Sequence, residues 1–156
     1  MRELKLQIEL IPSSSWGKNL RTRMPQRQWD LHRKRVYELA SNRCQICGGA
    51  GKLHCHEMWQ FDDTSKTQTL VGFHAVCNMC HFANHIGKAQ DLADADQLDI
   101  DAVVSHFLKV NACDMAAFMR HKTEAFLRFH VRSQFEWRID FGKFAYLATK
   151  KPLPNP

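Results

Sequence analysis

Two C-x-x-C pairs, CQIC at 44–47 and CNMC at 77–80, constrain this 156-residue chain more than any other feature. Each pair sets two thiols at the spacing of a metal knuckle. Together they offer the four ligands of a tetrahedral Zn²⁺ site. Four thiolates complete the coordination shell and leave no position for water or substrate, so a site of this kind is structural. Cys44, Cys47, Cys77 and Cys80 are therefore expected to staple two distant points of the chain. The rival use of six cysteines is a disulfide framework, which belongs to oxidising compartments. The opening residues, MRELKLQIELIP, alternate apolar with charged and polar side chains and do not read as a secretory leader. No apolar run approaches a membrane span. The expectation is an intracellular, cytoplasmic chain without a membrane partner, its thiols reduced. Cys55 and Cys113 fall outside the pairs and read as small buried hydrophobes.

Between the knuckles, residues 52–60 and 67–73 read as strands joined by the polar turn FDDTSK. A helix is expected from about Val76 to His85, with Gly87 placed to end it. Upstream, Leu4, Leu6, Ile8 and Leu10 alternate over 3–11 and predict a strand, ended by Pro12 and the serine run. Residues 28–41 predict a helix with Trp29, Val36, Tyr37, Leu39 and Ala40 inward. Downstream, 89–98 is acidic and reads as a surface connection. Helices are expected over 99–110, with Ile100, Val103, Val104, Phe107 and Leu108 on one face, and over 114–130, with Phe118, Met119, Phe126 and Phe129 in the core. Phe135, Trp137, Ile139 and Phe141 alternate and suggest a strand, and the tail KKPLPNP reads as frayed.

A hydrophobic share of 44% with 24% charged residues is that of a chain that folds around a core. The net charge of +6 is unevenly spread. Residues 1–43 carry ten Lys/Arg against four Asp/Glu, 44–88 three against three, 89–110 one against five, and 111–156 eight against four. Basic flanks around a neutral centre suit a polyanion, with a merely solvated basic surface as the alternative. Arg21, Arg23, Arg27, Arg33, Lys34 and Arg35 are the candidate phosphate contacts. Trp16 and Trp29 lie among them and either stack on bases or pack internally.

A second donor set lies in the same central segment. His81 and His85 are four apart on the expected helix and share one face. His56 lies on the strand which that helix would cover. Three neutral imidazoles suit a divalent transition metal and can leave positions open. His32, His74, His106, His121 and His130 are read as structural or surface residues.

The run CQICGG, then LHCHEMW, then LVGFHAVCNMCHFANH resembles the HNH family of ββα-metal endonucleases over about residues 44–87. The resemblance implies a zinc-stapled ββα-metal core at 44–88; with the basic N-terminal strand and helix at 1–43 and the mainly helical C-terminal extension at 89–156 read from the residues, the expectation is a small α+β fold in a single domain. It implies a metal-dependent endonuclease acting on DNA. Structural Zn²⁺ would sit in the four cysteines, and a catalytic divalent cation (Mg²⁺, Mn²⁺, Ni²⁺ or Zn²⁺) on His56, His81 and His85. The family's general base normally follows the first metal ligand and is usually histidine; here that position is Glu57, with His54 as the rival base. The family often has asparagine five residues before the second knuckle, where this chain has Gly72. Two other readings stand beside it: a catalytically silent zinc module that binds nucleic acid, and a zinc-stabilised interaction domain whose apolar C-terminal helices offer a homodimer surface.

Overall fold

The central hairpin is built from β1 (Leu53–Asp62) and β2 (Thr67–Cys77), paired antiparallel from Leu53↔Cys77 to Asp62↔Thr67. The turn between them follows from Asp62. Its carboxylate accepts the N–H groups of Thr64 (2.9 Å) and Ser65 (3.3 Å), an Asx turn that closes the loop locally. The register slips after Met58↔Gly72 to Trp59↔Leu70, so Val71 bulges out of the ladder and the hairpin twists more strongly there. A short β3 (Arg138–Asp140) adds parallel to β2, giving the order β1-β2-β3 with β1 at an edge.

The computed structural model describes residues 3–149. Helices account for most of the rest: α1 (Gln26–Leu39), α2 (Asn78–Asn84), α3 (Ile86–Asp94), α4 (Ile100–Asn111) and α5 (Met115–Arg132). The chain is thus α+β, with a three-stranded sheet and five α-helices among the described residues. The helix starts are legible. Asp99 accepts the N–H groups of Asp101 (3.0 Å) and Ala102 (3.2 Å), and Asp114 accepts that of Ala117 (2.8 Å). Each cap satisfies donors that the first turn leaves open.

Two cores lie against the hairpin. The larger gathers Leu6, Ile8, Val76, Ala83, Ile86, Ala89, Val103, Phe107, Phe118 and Ala125. Phe107 is fully buried, its ring 5.0 Å from that of Phe118. The smaller joins Leu20, Met24, Trp29 and Leu70, with Cys55, Trp59 and Phe73 packed against it.

Several expectations change. Residues 3–12 do not form a strand. Leu6 and Ile8 are buried as their alternation requires, but the backbone between them bonds to side chains. Asn111 brackets Leu6 from both sides, accepting its N–H (3.0 Å) and donating to its carbonyl (2.9 Å). His121 Nε2 accepts the N–H of Ile8 (2.9 Å), and Asn84 donates to the carbonyl of Gln7 (2.7 Å). The segment is a strap laid over helices. In α1 only Trp29 is buried, and Leu39 is 78% exposed, so the inward face read over Val36–Ala40 is not a core face. Gly87 does not stop the helix. The interruption is at His85 (φ −104°, ψ 52°), and the chain resumes as α3, which buries Ile86 and Ala89 through the expected acidic connection as far as Asp94. Met119 is exposed, not core. The strand read over 135–141 shrinks to Arg138–Asp140, with Phe135 exposed. The C-terminal tail from residue 150 lies outside the described residues.

One clasp ties the C-terminal segment to the hairpin turn. Arg132 grips Asp63 with two bonds, Nε to Oδ1 at 2.8 Å and NH2 to Oδ2 at 2.7 Å. Its guanidinium also lies over the Phe61 ring, 4.3 Å from the centroid. Among the described residues no helix is long and apolar enough to cross a membrane.

Candidate metal centre

The cysteines converge. The ligand atoms of Cys44, Cys47, Cys77 and Cys80 all lie within 4.8 Å of one another, and Cys47 Sγ is 3.7 Å from Cys77 Sγ. A zinc–sulfur bond of about 2.3 Å gives a tetrahedron with edges of about 3.8 Å, so the thiols fit Zn²⁺. The backbone is shaped for it. Cys44 Sγ accepts the Cys47 N–H (3.5 Å), Cys47 Sγ that of Gly49 (3.4 Å), and Cys77 Sγ that of Cys80 (3.5 Å). Gly48 sits at φ 76°, the left-handed conformation that lets the first knuckle fold back onto the Cys44 carbonyl (2.8 Å). Gln45 locks that knuckle to β2, its N–H on the Ala75 carbonyl and its Oε1 on the Ala75 N–H.

The electrostatics of four crowded thiols differ from site to site. Burial works to raise the Cys44 thiol, but the N–H groups of Cys47, Cys77 and Ile46 outweigh it and bring it down to about 7. Burial and the neighbouring Cys44, Cys77 and Cys47 drive the Cys80 thiol strongly upward. His106 stands 3.2 Å from Cys80 Sγ through Nε2, an outer contact from α4. By sequence alone His106 reads as a structural or surface histidine. Nothing in its spacing links it to the knuckle; only the packing of α4 on α2 does.

The histidines form a second group. Ligand atoms of His56, His81 and His85 lie within 4.8 Å of one another. The ring centroids of His81 and His85 are 4.8 Å apart, those of His56 and His85 5.0 Å. Metal–nitrogen bonds of about 2.1 Å put nitrogens about 3.4 Å apart, a spacing inside that 4.8 Å bound. Burial, with the neighbouring histidines, holds His81 down to about 3 and His85 to about 4, so both are neutral donors near neutrality. His56 is buried, and its Nε2 meets Glu9 Oε2 at 2.7 Å. Burial alone would raise the Glu9 carboxyl. The hydrogen bond and the charges of His56, His85 and His74 outweigh it and hold the group below the ordinary carboxylate range. Glu9 was missed by sequence reasoning.

The rival bases are placed differently. His54 shares the His56 face of β1, stacks on His81 at 4.4 Å and bonds to Asn78 Oδ1. Glu57 lies on the other face, with Cys55 and Trp59. Its Oε1 accepts the Arg21 N–H (3.2 Å), while its buried Oε2 has no hydrogen-bond partner among the described residues. Burial pushes the Glu57 carboxyl up to about 7 against the N–H groups of Arg21 and Leu20. Gly72 faces Met58 on the histidine face, where an added Cβ would meet Met58 Sδ at 3.7 Å, an ordinary contact. A side chain would fit there.

A cleft of about 770 Å³ runs beside the hairpin, lined by His56, His81 and His85 and also by Glu57, Trp16 and Arg21. Because β1 is an edge strand, residues from both of its faces reach this cleft. Trp16 is 66% exposed and stacks on Phe129 at 6.4 Å. Of the six basic candidates, Arg21 lines the cleft. Arg33 is paired with Asp30 at 2.8 Å, and Arg23 lies over the Phe141 ring. Arg27, Lys34 and Arg35 are exposed on α1. Comparison of the chain with protein-family models, with curated proteins and with solved structures found no match.

Proposed function

We propose that the chain is a metal-dependent endonuclease of the HNH type, hydrolysing phosphodiester bonds in DNA. The observation that carries this reading is the three-histidine group in the wall of a large cleft, adjacent in sequence to a closed four-cysteine group. A divalent cation held by His56, His81 and His85 would supply Lewis-acid stabilisation of charge on phosphoryl oxygens. Zn²⁺ held by the cysteines would hold the hairpin and α2 in register, which keeps the three imidazoles together.

Two side chains are candidates to take the proton of an attacking water. Glu57 lines the cleft and has an oxygen without a hydrogen-bond partner among the described residues. His54 stands on the ligand face, stacked on His81. Arg21 at the cleft wall supplies positive charge to a phosphate, and exposed Trp16 supplies a stacking surface.

Plasmid nicking by zinc-loaded protein, with Mg²⁺, Mn²⁺ or Ni²⁺ added, tests the reading. Cleavage is expected to need the added ion and to vanish in His56→Ala while the fold and zinc content persist. Glu57→Gln and His54→Ala, assayed separately, identify the base. Salt-sensitive DNA binding with no cleavage under any ion would mark a silent nucleic-acid module instead. Indifference to DNA with a concentration-dependent size would mark an interaction domain.

A further inference from the structure

The N-terminal strap is held by an unusual set of bonds for a segment with no regular structure. Its N–H groups and carbonyls are met by Asn84, Asn111 and His121, from α2, α4 and α5. Glu9 itself donates its backbone N–H to the Asn84 carbonyl at 2.8 Å. Asn84 is 1% exposed and lies one residue before His85. The strap is therefore bolted to the end of α2, the helix that carries His81, at the residue before His85. What it delivers there is one carboxylate, Glu9 Oε2, at 2.7 Å from His56 Nε2. The His56 side chain is 6% exposed and that of Glu9 is 43% exposed, so the carboxylate reaches a buried ring from the water side.

We propose that Glu9 is the positioning carboxylate of the three-histidine metal site, acting through His56. The proposal rests on the reading of His56, His81 and His85 as ligands. A buried imidazole has two nitrogens and needs a defined tautomer to bind an ion. A carboxylate that accepts the proton of one ring nitrogen fixes that tautomer, fixes the ring orientation and makes the other nitrogen a better donor. Glu9 on Nε2 leaves the Nδ1 lone pair for the ion. The alternative, that Glu9 merely packs the strap, gives no reason for a charged group at a buried ring when leucine and isoleucine fill the neighbouring inward positions.

The test is Co²⁺ binding to full-length protein already holding zinc in its cysteines, read by visible absorption and calorimetry. Wild type is expected to take one Co²⁺ beyond the zinc. Glu9→Gln keeps the shape of the strap and removes the charge. It is expected to weaken Co²⁺ binding by roughly 10- to 100-fold, with zinc content and secondary structure retained in the absence of Co²⁺, and Glu9→Asp should recover part of the affinity. Nitrogen-15 spectra of zinc-loaded wild type without Co²⁺ should show the His56 proton on Nε2, and Glu9→Gln should show mixed tautomers. Co²⁺ affinity in Glu9→Gln within twofold of wild type would overturn the proposal and leave the three-histidine site standing. A wild type that takes no ion beyond its zinc would overturn both.

Discussion

Cys80 and His81 are consecutive on α2, yet they serve two sites with opposite designs. The cysteine group is closed: four soft donors, three of whose sulfurs accept backbone N–H groups from two or three residues further on. The histidine group is open. Its donors come from a strand, from α2 and from the break that ends α2, its outer partner comes from a distant strap, and it lines a cavity. The closed group is shaped by backbone close to it in sequence, and the group that lines the cleft by contacts from distant parts of the chain.

The largest effect should come from breaking the closed site. Cys80→Ser is expected to release zinc and unfold the domain. Apparent structural-zinc free energies of about 10 kcal/mol or more rival the whole stability of a small domain, about 5–15 kcal/mol. Circular dichroism with an intact-mass zinc count checks it, and a folded, zinc-free variant would contradict it. Breaking the open site should do less to the fold. His85→Ala is expected to keep zinc and secondary structure while losing the second ion. The affinity loss should exceed the roughly 10- to 100-fold that an outer partner costs, measured by calorimetry with Ni²⁺.

A smaller effect sharpens the closed site. His106→Ala removes the contact at 3.2 Å from Cys80 Sγ. It should lower zinc affinity by about 10-fold, the lower end for an outer partner, in a chelator competition at neutral pH. The smallest concerns the strap on which the open site depends. Burial and nearby Arg128 lower the pKa of His121 against a weaker opposing pull from Glu124. Its neutral Nε2 accepts the Ile8 N–H. The folded state therefore binds the proton less readily than the unfolded chain. The contribution is fully present above the unfolded value of about 6.5 and is lost as pH falls below it toward the lowered folded value. Stability of wild type relative to His121→Leu should shrink by about 1 kcal/mol, the net worth of one hydrogen bond, between pH 7.5 and 5. A difference independent of pH would show that the bond is not the basis of His121's contribution.

The closed site was almost wholly legible in the sequence, because C-x-x-C spacing is a local statement about backbone reach. So were the hairpin, through its alternation and turn residues, and the helix face shared by His81 and His85. Of the histidine group, the sequence showed only that His56, His81 and His85 would come together. Glu9 was hidden because alternation over Leu4, Leu6, Ile8 and Leu10 says which side chains are buried and says nothing about what bonds the backbone. A strand and a strap share that pattern. Telling them apart needed Asn84, Asn111 and His121, whose roles arise only once α2, α4 and α5 are packed. The same holds for His106. The inward face read on α1 failed for a related reason: apolar side chains at helical spacing do not show whether anything lies opposite them, and beyond Trp29 little of the chain covers α1.

The strap also sets an order of events. Its carboxylate is near the start of the chain, and the side chains that fasten the strap include Asn111 and His121. During synthesis the four thiols are all available once Cys80 has emerged, so zinc can be captured while the C-terminal helices are still unmade. Glu9's own partners, His56 and the Asn84 carbonyl, come earlier, and the bond from Ile8 to His121 is the last of the strap's fastenings in chain order. A chain cut short before α5 would hold zinc and still lack a fastening of the segment that carries Glu9.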